Sequence, residues 1–148
     1  MYQGDALHAM KNDDEAFQAY DRSIKLVDSN SYVLNNYAYY LSLKGKDLDK
    51  AEKMSKRAVT LDPKNGSFLD TYGWVLFQKG DFKGAAEWIL KALQADDSPS
   101  AEVLEHYGDA LYHLNDPAGA LDYWNRAKVK GGGSDRLDRK INDKKYYP

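Results

Sequence analysis

Apolar positions along the chain fall at helical spacing and are interrupted at regular intervals. Leu69, Tyr72, Gly73 and Leu76 stand at i, i+3, i+4 and i+7, which places them on one helical face. Gly80-Asp81 punctuates the pattern, and Phe82, Ala85, Ala86, Ile89 and Leu93 then form a second stripe. Pro63, after Leu61-Asp62, and Pro99, after Asp97-Ser98, end second helices. Pro117 falls in a first helical turn behind Asp116, where its missing N–H costs nothing and Asp116 can cap. The spacing therefore predicts pairs of helices joined by short turns.

A longer period is superimposed on this one. Ala16, Ala51, Ala85 and Ala120 recur at spacings of 35, 34 and 35. Seven residues after each stands a small residue: Ser23, Ala58, Ala92 and Ala127. Upstream lie Gly4, Ala38, Gly73 and Gly108, preceded by Gln3, Tyr37, Tyr72 and Tyr107. Leu7, Leu41, Leu76 and Leu111 follow three residues later. Small residues belong where two helices cross closely, because a larger side chain would push the axes apart. Four copies in register make this a repeat array.

In these residues the chain resembles the tetratricopeptide repeat family. The second unit supplies Leu34, Tyr37-Ala38, Leu41, Ala51, Ala58 and Pro63; the third, Leu69, Tyr72-Gly73, Leu76, Ala85 and Ala92. The fourth supplies Leu104, Tyr107-Gly108, Leu111, Ala120 and Ala127. The departures are Ala38 for Gly, Ser23 for Ala, and a one-residue insertion near Gly45-Lys46. The resemblance implies an all-α fold, a right-handed α-solenoid of antiparallel helix pairs ending in a C-terminal capping helix. The expected units are a partial repeat over 1–30 and full repeats over 31–65, 66–100 and 101–130. A Gly hinge at 131–133 and a capping helix with its tail over 134–148 follow. Because the first unit enters partway along a helix, the chain is expected to be the C-terminal piece of a longer protein. In the last segment Ser134 is the candidate N-cap, and Leu137 and Ile141 face inward with the basic residues turned outward.

Composition narrows the function. With no cysteine among 148 residues, a disulfide scaffold, a thiolate zinc site and a cysteine nucleophile are excluded. Twenty-one Lys and Arg against 23 Asp and Glu argue against a non-specific hold on nucleic acid. No apolar stretch approaches the ~20 residues of a membrane span. No nucleophile elbow is present, and Gly131-Gly132-Gly133 lacks the Lys-Ser/Thr ending of a phosphate loop. The chain is expected to be non-enzymatic and to need no cofactor. His106, Asp109 and His113 share one helix face, but their ends lie about 10 Å apart along the axis. No metal is therefore expected there.

The charges are arranged rather than merely balanced. The resemblance implies that first helices line a concave surface. Opposite their core stripes stand Asn35, Asn36 and Tyr39; Asp70, Trp74 and Phe77; and Glu105, His106, Asp109, Tyr112 and His113. These eleven form the candidate partner-binding face. It carries acids and rings, and no Lys or Arg. Some family members hold a peptide's terminal carboxylate in a clamp of Lys, Arg and Asn. Asn36 matches the clamp's Asn, but the basic members are missing. A protein or peptide partner with basic and apolar side chains suits the face better, by charge complementarity. Two alternatives stay open: a C-terminal spacer or cap with no ligand of its own, or self-association through the N-terminal edge. Binding predicts that Trp74, Phe77 and Tyr112 stay partly exposed, whereas a spacer predicts that they are buried. The runs from Leu34 to Leu41 and from Leu69 to Leu76 resemble the last repeats of long bacterial members, many of them exported or anchored in the cell envelope. The compartment stays open between envelope and cytoplasm.

Overall fold

The computed structural model describes residues 30–148. The partial first repeat before residue 30, with Gly4, Asp5, His8, Ala16 and Ser23, lies outside them. Seven helices and no strand occur among the described residues. They are α1 Ser31–Lys44, α2 Leu48–Leu61, α3 Gly66–Gln78, α4 Phe82–Gln94, α5 Ala101–His113, α6 Pro117–Lys130 and α7 Leu137–Asp143. The first six form three consecutive pairs. Each pair joins the next chiefly through α2 against α3, α3 against α1, and α4 against α5.

Short polar side chains start these helices. Asn30 and Asn65 accept from the backbone N–H of Val33 and Phe68, which opens the first helix of a pair. Ser100 does the same for Val103 at α5. Asp81 and Asp116 accept from Gly84 and Gly119 at the second helices, with Pro117 in the first turn of α6. Each cap satisfies an N–H that a helix end otherwise leaves unpaired. The inserted residue near Gly45-Lys46 is absorbed in the turn between α1 and α2. Gly45 takes a left-handed backbone (φ 63°), Lys46 N–H closes on Leu41 C=O, and the extra residue, Asp47, takes a second left-handed conformation (φ 49°) before α2. In the other two pairs Gly80 and Asn115 provide the left-handed residue, and Asp81 and Asp116 close on Leu76 and Leu111.

The core follows the repeat. Ala38, Ala51, Ala58, Ala85, Ala120 and Ala127 are fully inaccessible, and Tyr37 and Tyr72 are buried with them. Tyr107 and Phe82 are half-buried. The reason for small residues is direct at two positions. A Cβ on Gly73 would stand 2.6 Å from Ile89 Cγ1 and 3.1 Å from the Ala85 carbonyl oxygen. A Cβ on Gly108 would meet the Trp124 ring at 2.6 Å and the Ala120 carbonyl at 3.1 Å. Because backbone as well as side chain must give way, Gly73→Ala and Gly108→Ala are each expected to cost about 1–3 kcal/mol. Urea unfolding of the two variants checks this, and a midpoint equal to that of the parent chain would show that the pairs can part freely.

The C-terminal segment departs from the expected register. The helix is confined to Leu137–Asp143, and its cap position is Arg136, which makes no side-chain capping bond. Ser134 is therefore not the N-cap. Its hydroxyl is drawn instead to the Glu105 carboxylate, and the Arg136 N–H donates back to Ser134 Oγ. Gly131, Gly132 and Gly133 all have positive φ (84°, 118° and 86°), a turn that L side chains rarely adopt. That turn brings Leu137 against Ala101, Ala120, Trp124 and Ala127.

Candidate partner-binding face

The structure brings most of the eleven candidate residues together, but it covers many of them. Asn35, Asp70, Trp74, Phe77, Glu105, His106 and Asp109 are all less than a tenth exposed. Asn36, Tyr39, Tyr112 and His113 are half-buried. Partial exposure thus holds for Tyr112 and not for Trp74 or Phe77. Trp74 stacks on Phe77 (4.4 Å between centroids) and on His106 (3.8 Å, 12° between planes). Tyr112 lies over Trp124.

Polar side chains tie the first helices together, one repeat apart between α3 and α5 and two repeats apart between α1 and α5. His106 Nδ1 of α5 lies 3.0 and 3.1 Å from the two Asp70 oxygens of α3. Burial alone would lower the His106 pKa, but Asp70, with help from Glu102 and Asp109, holds it above the usual value. The Tyr39 hydroxyl of α1 donates to Glu102 Oε1 of α5 at 3.1 Å. Burial, reinforced by Glu102, pushes that phenol well above its ordinary pKa. Asn35 Oδ1 is buried without a hydrogen-bond partner.

The other half of the acidic face is met by the chain itself. Lys140 of α7 is 4% exposed and lies 2.7 Å from Glu105 Oε2 and 2.8 Å from Asp109 Oδ1. The expectation that the terminal basic residues all turn outward is corrected at this position. Two carboxylates on one turn of α5 attract the cation, and Leu137, three residues earlier on the same helix face, seats it. The Ser134 N–H donates to Glu105, and the Trp124 indole N–H donates to Asp109 at 3.0 Å. Burial opposes ionisation of Glu105, but Lys140 and Ser134 together hold its pKa below the usual value. For Asp109 burial wins over Lys140 and pushes the carboxyl up to about 6. Beyond α7, the Tyr146 ring rests on His113 (4.7 Å) and Phe77 (5.7 Å). Its phenol is raised to about 12, mainly by burial.

Between these two halves runs a groove of about 530 Å³. Tyr39, Trp74, Glu102 and His106 line one side, and Arg136, Tyr146 and Tyr147 the other. The motif weighed as a metal site, His106, Asp109 and His113, does not converge. Asp109 turns to Lys140 and Trp124, and His113 Nδ1 donates to the Asp109 backbone carbonyl. Three residues that meet this face lie outside the eleven: Glu102, Lys140 and Tyr146. Glu102 lies one turn before His106 on α5, at a position whose helical spacing marks the same face. Nothing in the repeat pattern marks Lys140 or Tyr146, which follow its last unit.

Helix pairs of this period, stacked with their first helices side by side, define an α-solenoid repeat protein. The chain belongs to the tetratricopeptide repeat family, whose profile matches residues 1–137. Among solved structures it is similar to MamA, with a TM-score of 0.78 at 18% identity over 97% of this chain and 83% of that one. A second MamA structure gives 0.75 at 18% identity, over 95% and 76% of the two chains. The Sgt2 repeat domain from Aspergillus fumigatus gives 0.69 at 21% identity, over 77% and 76%. At these identities the likeness is one of fold. No curated protein sequence matches the chain. The family is one of protein-interaction scaffolds, typically without catalysis.

Proposed function

We propose that the concave face of this scaffold holds a partner segment carrying basic and aromatic side chains, in the groove between Tyr39, Trp74, Glu102 and Tyr146. One observation carries this reading: the chain's own C-terminal segment docks on the same face with a lysine on two carboxylates and a tyrosine on two rings. The face thus accepts a cation beside an aromatic, the chemistry that charge complementarity also suggests. The first-helix residues that line the groove include no Lys or Arg, and of the two basic residues that enter it from the C-terminal segment, Arg136 and Lys140, the second is already held by Glu105 and Asp109. A second reading has its own support. Trp74 and Phe77 are buried within the stack, as a spacer without a ligand would have them.

Peptide display separates the two. Selection of random peptides on the full chain is expected to enrich Lys or Arg near an aromatic residue. Tyr39→Ala and Glu102→Lys are expected to weaken the selected peptides at least ~10-fold, as rim-to-core anchors of an interface do. Tyr39 and Glu102 are the residues to change because they border the groove without being core. Trp74→Ala would also dismantle the stack on His106. Enrichment of no peptide would favour the spacer, and enrichment of acidic peptides would overturn the basic, aromatic partner.

A further inference from the structure

We infer that Asp70, Glu102 and His106 form a divalent transition-metal site, of zinc-binding character, that clamps neighbouring repeats together. One ligand atom from each of the three lies within 4.8 Å of the others. Glu102 and His106 stand one turn apart on α5, so both project from one face of that helix. Asp70 meets them from α3, the first helix of the preceding pair. Ligand atoms about 2.0–2.2 Å from a zinc ion lie roughly 3.3 Å from one another in a tetrahedral shell. His106 Nδ1 and the Asp70 oxygens already have nearly that spacing, at 3.0 and 3.1 Å. Glu102 is exposed, and a rotamer change can close the remaining distance.

Independent features around the three residues favour a cation. Tyr39 donates to Glu102 Oε1, an outer contact of the kind that orients a ligating carboxylate. Trp74 lies flat against the His106 imidazole and fixes the plane of the ring. Asn35 is more than nine-tenths buried, its Oδ1 is unpaired, and it lines the same cavity of about 300 Å³ as Asp70 and Glu102. An acceptor left without a donor beside two carboxylates is a place short of positive charge. One imidazole with two carboxylates suits zinc and its neighbours better than calcium or magnesium, which take oxygen donors. Three protein ligands leave the fourth position open to water. Inspection along α5 alone misses the site, because one ligand comes from the preceding repeat.

The test is titration of the full, chelator-treated chain with Zn²⁺ by calorimetry at neutral pH, and with Co²⁺ by visible absorption. The expected result is one saturable ion per chain, a tetrahedral Co²⁺ spectrum, a displaced ¹⁵N resonance for His106 Nδ1 and a raised Tm. Asp70→Asn, Glu102→Gln and His106→Gln are each expected to weaken binding at least ~100-fold, beyond the loss usual for outer-contact changes. The exposed Asp122→Asn serves as the control and should leave binding unchanged. Glu102→Gln keeps the test decisive if the buried variants unfold, since its side chain is exposed. Absence of saturable binding, or full affinity in Glu102→Gln, would overturn the site.

Discussion

Replacing Lys140 by Ala is expected to free α7 from the body of the molecule. The substitution leaves Glu105 and Asp109 buried beside each other without their shared cation. Breaking a buried ion pair from one side costs about 3–5 kcal/mol, mostly through the charge left behind. A seven-residue helix cannot remain helical by its own propensity, so undocking means local unfolding. Undocking also relieves the stranded carboxylates, so the observable loss is capped at the docking free energy of the segment. Hydrogen exchange should therefore accelerate across residues 137–143, while α1 to α4 keep their protection. The triple change Lys140→Met, Glu105→Gln and Asp109→Asn should restore much of the docking, because no charge is then buried. Unchanged protection in Lys140→Ala would show that Leu137 alone holds α7. Tyr146 should leave His113 and Phe77 together with α7, which would open the groove for a partner.

Trp124→Ala is expected to destabilise the last repeat by about 3–5 kcal/mol, the usual cost of truncating a buried aromatic to Ala. Trp124 is fully inaccessible and fills the space that Gly108 leaves on α5. It also donates to Asp109, so Ala removes packing and a hydrogen bond together. Trp124→Phe keeps most of the ring and loses the donor to a buried acid, with an expected cost of about 1–3 kcal/mol. Repeat arrays fold as coupled neighbours, so a weakened end unit can melt before the rest. Urea unfolding followed by circular dichroism should show an early step in Trp124→Ala that is lacking in Trp124→Phe. Equal midpoints for the two variants would assign the whole effect to the Asp109 bond.

How far the sequence could be read depended on whether a feature repeats. The helix pairs, the cap at Asp116, and the crossing positions at Gly73 and Gly108 are local or periodic. Each was legible because neighbouring residues on one helix face share an environment. Even the insertion near Gly45-Lys46 stayed local, absorbed by one left-handed turn. The partners of the inner face were not legible in this way. Tyr39 reaches Glu102 across 63 residues, and His106 reaches Asp70 across 36. Lys140 returns to Glu105 from beyond the glycine turn. No periodicity encodes such contacts, because they depend on how the units stack.

By itself, then, the sequence determined the family, the α-solenoid of paired helices and the presence of an acidic, aromatic face. These follow from helical period and side-chain volume, which act over a few residues and recur in every unit. Only the tertiary structure decided which of those acids and rings meet solvent. Three consecutive glycines with positive φ turn the chain back, and that turn delivers Lys140 and Tyr146 onto the face. Burial and pairing are properties of the folded stack: a carboxylate costs free energy when buried until a cation reaches it, and that cation came from outside the repeat.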